Sequence, residues 1–104
     1  MSDEQLPVSL SKGVQDVLAE NETSLEEILR REGLDVSTRL GSAENATGTK
    51  DAVLILIASS IVIAAATPIL TRALEIMSNK PVKVTKHRLK AGGLGLTVEF
   101  ESEG

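Results

Sequence analysis

The stretch that decides the fold is AVLILIASSIVIAAATPILT, residues 52–71, which runs between Asp51 and Arg72 without a charged side chain. Fifteen of its 20 residues are apolar. As a helix rising about 1.5 Å per residue, the stretch would span about 30 Å, the thickness of the hydrocarbon core of a bilayer. It therefore predicts one transmembrane helix, which we expect to occupy residues 52–77.

The alternative is a soluble domain in which this stretch is the core, as a buried helix or as a pair of strands. Clusters of Val, Leu and Ile at residues 53–57 and 61–63 favour strands, but three alanines at 64–66 followed by Pro68 do not continue one well. A helix that is apolar on every face must be wrapped completely, and the remaining chain has few apolar residues for this. We therefore favour the membrane helix, although the chain lacks the Trp and Tyr that usually anchor one.

The composition of the 104 residues excludes several classes of site. Because there is no cysteine, the chain cannot form disulfides, thiolate zinc sites or a cysteine nucleophile. The single histidine, His87, leaves no histidine-rich metal site, and one aromatic residue, Phe100, is too few for a nucleic-acid stacking platform. We find no nucleophile with a base and no phosphate loop, and we expect no cofactor, no bound metal and no enzymatic activity.

The charges are distributed unevenly on the two sides of the apolar stretch. Residues 1–51 carry 5 Lys and Arg against 11 Asp and Glu, whereas residues 72–90 carry six cations against Glu75 alone. The positive-inside rule predicts a cytoplasmic, or interior, C-terminal tail, and the acidic half argues against nucleic-acid binding. The cations that we expect to contact anionic lipid headgroups are Arg72, Lys80, Lys83, Lys86, Arg88 and Lys90.

Small residues recur every four positions within the apolar stretch, at Ser60, Ala64 and Pro68. This spacing places them on one side of a helix, where small side chains let two helix backbones approach closely. We therefore expect helix–helix packing there, between copies of the chain.

Residues 1–40 predict an acidic N-terminal segment with two short helices. After a mobile tail at residues 1–9, an apolar stripe predicts one helix over residues 12–20. Thr23 or Ser24 can cap a second helix, which Gly33 ends. Its apolar face is too small to stand alone, so we expect it to dock on a partner through Leu25, Ile28 and Leu29. Residues 41–51 read as a polar linker.

Residues 78–104 predict a C-terminal β-hairpin tail. Strands over residues 82–88 and 94–101 alternate apolar and polar side chains, and residues 91–93 supply the turn. Two strands alone are only marginally stable in water. Their apolar face therefore needs a cover, either the helical hairpin of the same chain, if both lie on one side of the membrane, or a partner that docks on Val98 and Phe100.

Together these patterns predict a mainly α-helical chain with a C-terminal β-hairpin: a short helical hairpin, one long apolar transmembrane helix and a small two-stranded β element. The corresponding function is a non-enzymatic, single-pass membrane protein that serves as a structural or scaffold subunit, for example in a lipid-containing virion. Its partners would be the lipid bilayer, other protein subunits and its own copies. Two alternatives stay open: a soluble homo-oligomeric interaction module with the apolar segment as its core, and a pore-forming or lysis protein.

Overall fold

A computed structural model describes residues 3–41, 52–88 and 93–103 of the chain. In these residues, three helices cover one face of a mixed five-stranded sheet. The elements in chain order are β1 (Glu4–Leu10), α1 (Lys12–Glu20), α2 (Leu25–Arg31), β2 (Ser37–Leu40), β3 (Ala52–Ala58), α3 (Ser60–Ser78), β4 (Val82–Arg88), β5 (Leu94–Phe100) and a 3-10 turn (Glu101–Glu103).

The apolar stretch forms a strand followed by a helix. The prediction of a single helix over residues 52–77 is therefore wrong, as is the prediction of a mainly helical fold with only two strands. Ser59 separates the two elements, because its Oγ accepts a hydrogen bond from the Val62 amide at 3.3 Å and caps α3. The aliphatic run before this cap suits a pleated sheet, and the alanines after it favour a helix.

Strand β3 lies inside the sheet, whose order is β2-β3-β1-β5-β4. It pairs antiparallel with both β1 and β2, while β5 pairs parallel with β1 and antiparallel with β4. It follows that α1 and α2 connect two parallel strands across β3, and that α3 connects β3 to the parallel strand β4 across β1 and β5. The mobile tail expected at residues 1–9 is wrong from Glu4 onwards, since β1 is an inner strand.

The core lies between the sheet and the three helices. Side chains alternate between the two faces of a strand, and the inward ones are at even-numbered positions in every strand. Both halves of the apolar stretch contribute to the core, Leu56 from β3 and Leu70 from α3 among them. Its buried residues are Val8, Leu10, Val14, Leu18, Leu25, Ile28, Leu29, Val36, Leu56, Ala58, Ala66, Leu70, Leu74, Val82, Leu96, Val98 and Phe100.

Several local predictions are confirmed. Helix α1 has the predicted bounds, and Ser24 caps α2 by accepting a hydrogen bond from the Glu27 amide at 3.2 Å. Gly33 ends α2 with a φ of 85°, and the next amide, that of Leu34, donates to the Leu29 carbonyl at 3.1 Å. Strands β4 and β5 form the predicted hairpin. Residues 42–51 of the predicted linker and residues 91–92 of the predicted turn lie outside the described residues.

Helix α3 is, within the described part of the chain, the one helix long and apolar enough to cross a membrane by length and composition. Only 17% of its most apolar window is buried inside the protein. Its outer side includes Ile61 and Ile76, which are 81% and 72% exposed. A membrane location and the sidedness of the tails therefore stay predictions.

Gly41 packs closely against β3, and this contact predicts an effect on stability. Its amide donates to the Val53 carbonyl at 2.7 Å, and a Cβ at this position would stand 2.6 Å from Val53 Cγ1 and 3.0 Å from the Val53 oxygen. We expect Gly41→Ala to lower the free energy of unfolding by about 1–3 kcal/mol in chemical denaturation, because the stiff valine must shift.

The double variant Gly41→Ala/Val53→Ala supplies the control. Removing Cγ1 relieves the nearest clash, so the double variant should lose less stability than the sum of the single variants. Strictly additive losses would contradict the close approach of the two residues.

Candidate interaction surface

The sheet has one face that points away from the helices, formed by the odd-numbered strand residues, and we call it the open face. Its most apolar part is a row on β3: Val53, Ile55 and Ile57. Val53 is buried, whereas Ile55 and Ile57 are half-buried, and none of the three belongs to the core cluster under the helices. On β1, Pro7 lies opposite Ile55 and Ser9 lies opposite Val53. In the described residues, no helix covers this row.

Strand β3 is apolar on both of its faces, AVLILIA without a polar residue. Continuous apolar runs of this kind are typical of strands that are covered on both sides. In the described residues, the helices cover only one side of β3. Its other side is therefore apolar without a helix to cover it. The sequence reasoning missed the open face, and this unbroken run was the signal that could have indicated it.

One charged side chain of the open face extends over the apolar row. Arg39 on β2 reaches across β3, because its Nη2 donates to Gln5 Oε1 on β1 at 3.1 Å. At the other side of the sheet, Lys83 on β4 lies opposite Glu99 on β5. Strands β1 and β3 themselves carry no charged residue on this face. The open face thus has one apolar strand, β3, which the Arg39 side chain crosses.

Glu26 on α2 holds the edge strand β2 in place. Its Oε1 accepts hydrogen bonds from the Thr38 amide at 2.8 Å and from the Thr38 hydroxyl at 3.3 Å. Arg30 reinforces this contact, since it lies 3.6 Å from the Glu26 carboxylate and donates from Nε to the Val36 carbonyl at 3.1 Å. Arg39 follows Thr38 on β2, so its position depends on the Glu26 side chain of α2.

His87 also belongs to the open face, on β4 opposite Gly95. Its Nε2 atom is buried and has no hydrogen-bond partner among the described residues. No other histidine exists in the chain, and no group of three or more acidic or histidine residues in the described regions could hold a metal ion.

The small residues predicted to pack helices together lie on the exposed side of α3. Ser60, Ala64 and Pro68 are all exposed, and the apolar Ile61 lies beside them. The structure thus leaves this surface accessible to a second helix, and the packing itself stays a prediction.

The cations predicted to contact lipid headgroups do not share one surface. Lys80 lies over the ring of Phe100, 5.8 Å from its centroid. Lys83 is on the open face, whereas Lys86 and Arg88 are exposed on the other face of β4. The six residues are Arg72, Lys80, Lys83, Lys86, Arg88 and Lys90, of which only the last lies outside the described residues.

All five residues predicted to dock on a partner are buried inside the chain. Leu25 and Leu29 of α2, and Val98 and Phe100 of β5, are buried in the core that the helices form with the sheet. Ile28 is also buried there, at the edge of a groove between α2 and α3. The apolar faces of α2 and β5 therefore pack against other elements of the same chain.

Comparisons with protein-family models, with curated proteins and with solved structures found no match for this chain.

The contact between Glu26 and Thr38 predicts a stability difference between two neighbouring glutamates. Glu26→Ala leaves the Thr38 amide without its partner, and hydrogen bonds to charged groups contribute about 1.5–3 kcal/mol. We expect a loss of about 1–2 kcal/mol in the free energy of unfolding, with faster hydrogen exchange at the Thr38 amide.

Glu27→Ala is the matched control, because the Glu27 side chain makes only long, exposed contacts with Thr23 and Arg31. It should change stability by less than about 0.5 kcal/mol. Equal losses in both variants would show that the Glu26 carboxylate does not hold β2.

Proposed function

We propose that the chain is a non-enzymatic interaction module that self-associates through the open face of its sheet. Two copies would pack their sheets face to face about 10 Å apart, with the β3 rows at the centre of the contact. The observation that carries this proposal is the apolar row on β3, where Ile55 and Ile57 are half-buried beside the buried Val53 and no helix of the described residues lies over them. This function corresponds to the soluble homo-oligomeric module of the sequence analysis.

The size of the open face is consistent with a dimer. Four strands of seven residues and one of four, at about 3.3 Å per residue and 4.8 Å between strands, cover about 500 Å². Two such faces bury about 1,000 Å² in total, which is the lower limit for a specific interface. We therefore expect a dimer that dissociates on dilution rather than an obligate one.

The charges of the open face restrict how two copies can face each other. A two-fold interface brings the same surface patch of both subunits together, so like charges at its centre would repel. Lys83 and Glu99 lie away from the β3 row, on β4 and β5, whereas the Arg39 guanidinium crosses β3 and donates to Gln5. The two copies must therefore be offset so that their Arg39 guanidinium groups stay apart.

A single-pass membrane scaffold is the second candidate, because α3 is long and apolar enough to span a bilayer. For this, α3 would have to leave the sheet and expose Ala66, Leu70 and Leu74 to lipid. The strand residues that these side chains cover, such as Leu56 and Leu96, would then need another cover. Because a membrane-spanning α3 would leave these strand residues uncovered, we prefer the interaction module to the membrane scaffold.

Self-association through the open face predicts the effect of a charge placed in its middle. Ile55→Asp introduces two aspartates into a dimer interface, where like charges and unpaired buried charges are both unfavourable. Sedimentation velocity without detergent should show a concentration-dependent dimer for the wild type and a monomer for the variant. Ile55→Thr, which keeps a β-branched side chain, should weaken the dimer while circular dichroism shows that the fold is kept.

Ile76→Asp provides the matched control, since Ile76 is an exposed isoleucine on α3. This variant should dimerise like the wild type. The proposal is contradicted if the wild type is monomeric at all accessible concentrations, if Ile55→Asp dimerises normally, or if the chain stays in solution only with detergent.

A further inference from the structure

A second surface, separate from the open face, lies on the helical side of the protein. It is a groove of about 740 Å³ between the C-terminal end of α2 and the C-terminal half of α3. Its apolar lining includes Ile28, Ile69, Ala73 and Ile76, and its charged lining includes Arg31 and Arg72. Because it is on the opposite side of the sheet from the open face, both surfaces can be occupied at once.

The apolar wall of the groove has the geometry of a helix-packing stripe. Ile69, Ala73 and Ile76 follow the i, i+4, i+7 spacing that places side chains on one side of a helix. They extend over about 10 Å along α3. The small side chain of Ala73 in the middle allows close approach, and the large Ile76 at the end is 72% exposed. A second helix laid along α3 would bury this isoleucine.

The net charge of the groove lining is positive, whereas the net charge of the chain is negative. The chain has a net charge of −4, but two arginines and one carboxylate, Glu32, line the groove. Arg31 lies 3.8 Å from Glu27 in an exposed ion pair, so its guanidinium is only weakly held. Arg72 is exposed, and no described carboxylate lies within salt-bridge distance of it. Both guanidinium groups can therefore turn towards an anionic partner.

We propose that this groove binds an amphipathic helix of a partner protein, whose apolar stripe enters the groove and whose acidic residues pair with Arg31 and Arg72. This is the helix-in-groove mode of recognition, in which apolar residues at helical spacing provide the anchors. A second copy of the chain fits less well. An α3–α3 pair that is centred on Ala73 would bring the two Arg72 residues close together, and the apolar faces of α1 and α2 are already in the core.

The test uses two synthetic amphipathic helical peptides and the full chain. Both peptides carry leucines at i, i+4 and i+7, and they differ only in having Glu or Lys beside this stripe. The Glu peptide should bind saturably in fluorescence anisotropy, and the Lys peptide should bind at least about tenfold more weakly. In methyl NMR spectra, the Glu peptide should shift the signals of Ile69, Ala73 and Ile76.

Substitutions in the groove should reduce the affinity for the Glu peptide. Arg72→Glu reverses an exposed charge without touching the core, and Ile76→Asp removes the exposed anchor; we expect each to weaken binding by about tenfold or more. Lys12→Glu makes the same charge change on α1, away from the groove lining, and should leave the affinity unchanged. Ile55→Asp on the open face should also leave it unchanged.

Three results would overturn the proposal. They are the absence of saturable binding, equal binding of the two peptides, and methyl shifts at Ile55 and Ile57 instead of at the groove. Because the groove variants and the open-face variant change different surfaces, dimerisation and peptide binding are tested independently.

Discussion

The pairing of β3 between β1 and β2 is the interaction on which the rest of the structure depends. Seven residues of β3 pair with seven of β1, and four pair with β2. Through β1 and β5, this ladder joins the N-terminal, central and C-terminal parts of the chain in one sheet. Without β3, strand β2 has no partner, and the core loses Leu56 and Ala58. The helices also lose part of the surface on which their apolar faces are buried.

The composition of β3 links this architecture to the proposed function. Its even-numbered residues face the helices, and its odd-numbered residues form the open face. A single strand thus contributes to the core and to the surface through which we propose that two copies associate. The hydrophobic effect acts on both faces in the same way, because apolar side chains gain free energy when they leave water, whatever covers them. A second copy would complete the burial that the three helices achieve on one side.

The sequence correctly predicted those helix and strand boundaries that are set by residues close together in the chain. Ser24 with Glu27 indicated the start of α2, Gly33 indicated its end, and the alternation after Gly93 indicated β5. The inner strands depend on pairing between β1 and β3, which are more than forty residues apart in the sequence. The spacing of apolar residues within one segment does not reveal pairing with a distant segment. In addition, the apolar residues of β3 and of the first part of α3 together have the length of a membrane span. Ser59 carried the relevant signal, since serine before an apolar run is a helix cap.

The two surfaces were less predictable than the elements. The unbroken apolar run of β3 indicates a strand that is apolar on both faces, but this signal was missed because the run continues into α3 and has the length of a membrane span. In the groove, Arg72 was predicted to contact lipid headgroups and Ile28 to contact a partner, but only the fold brings them to one place. Ile76 was overlooked, because its exposure depends on which side of α3 packs on the sheet.

The most direct test of this structure is the detection of β1–β3 pairing by NMR in detergent-free solution. Antiparallel pairing predicts Hα–Hα NOEs at alternate positions of the register that runs from the Glu4 and Ala58 pair to the Leu10 and Ala52 pair. Within residues 52–78, the NOEs between residues i and i+3 that are typical of a helix should begin only after Ser59. Helical contacts that continue through residues 52–58, with no NOEs to residues 4–10, would contradict the sheet-centred structure and favour one long helix.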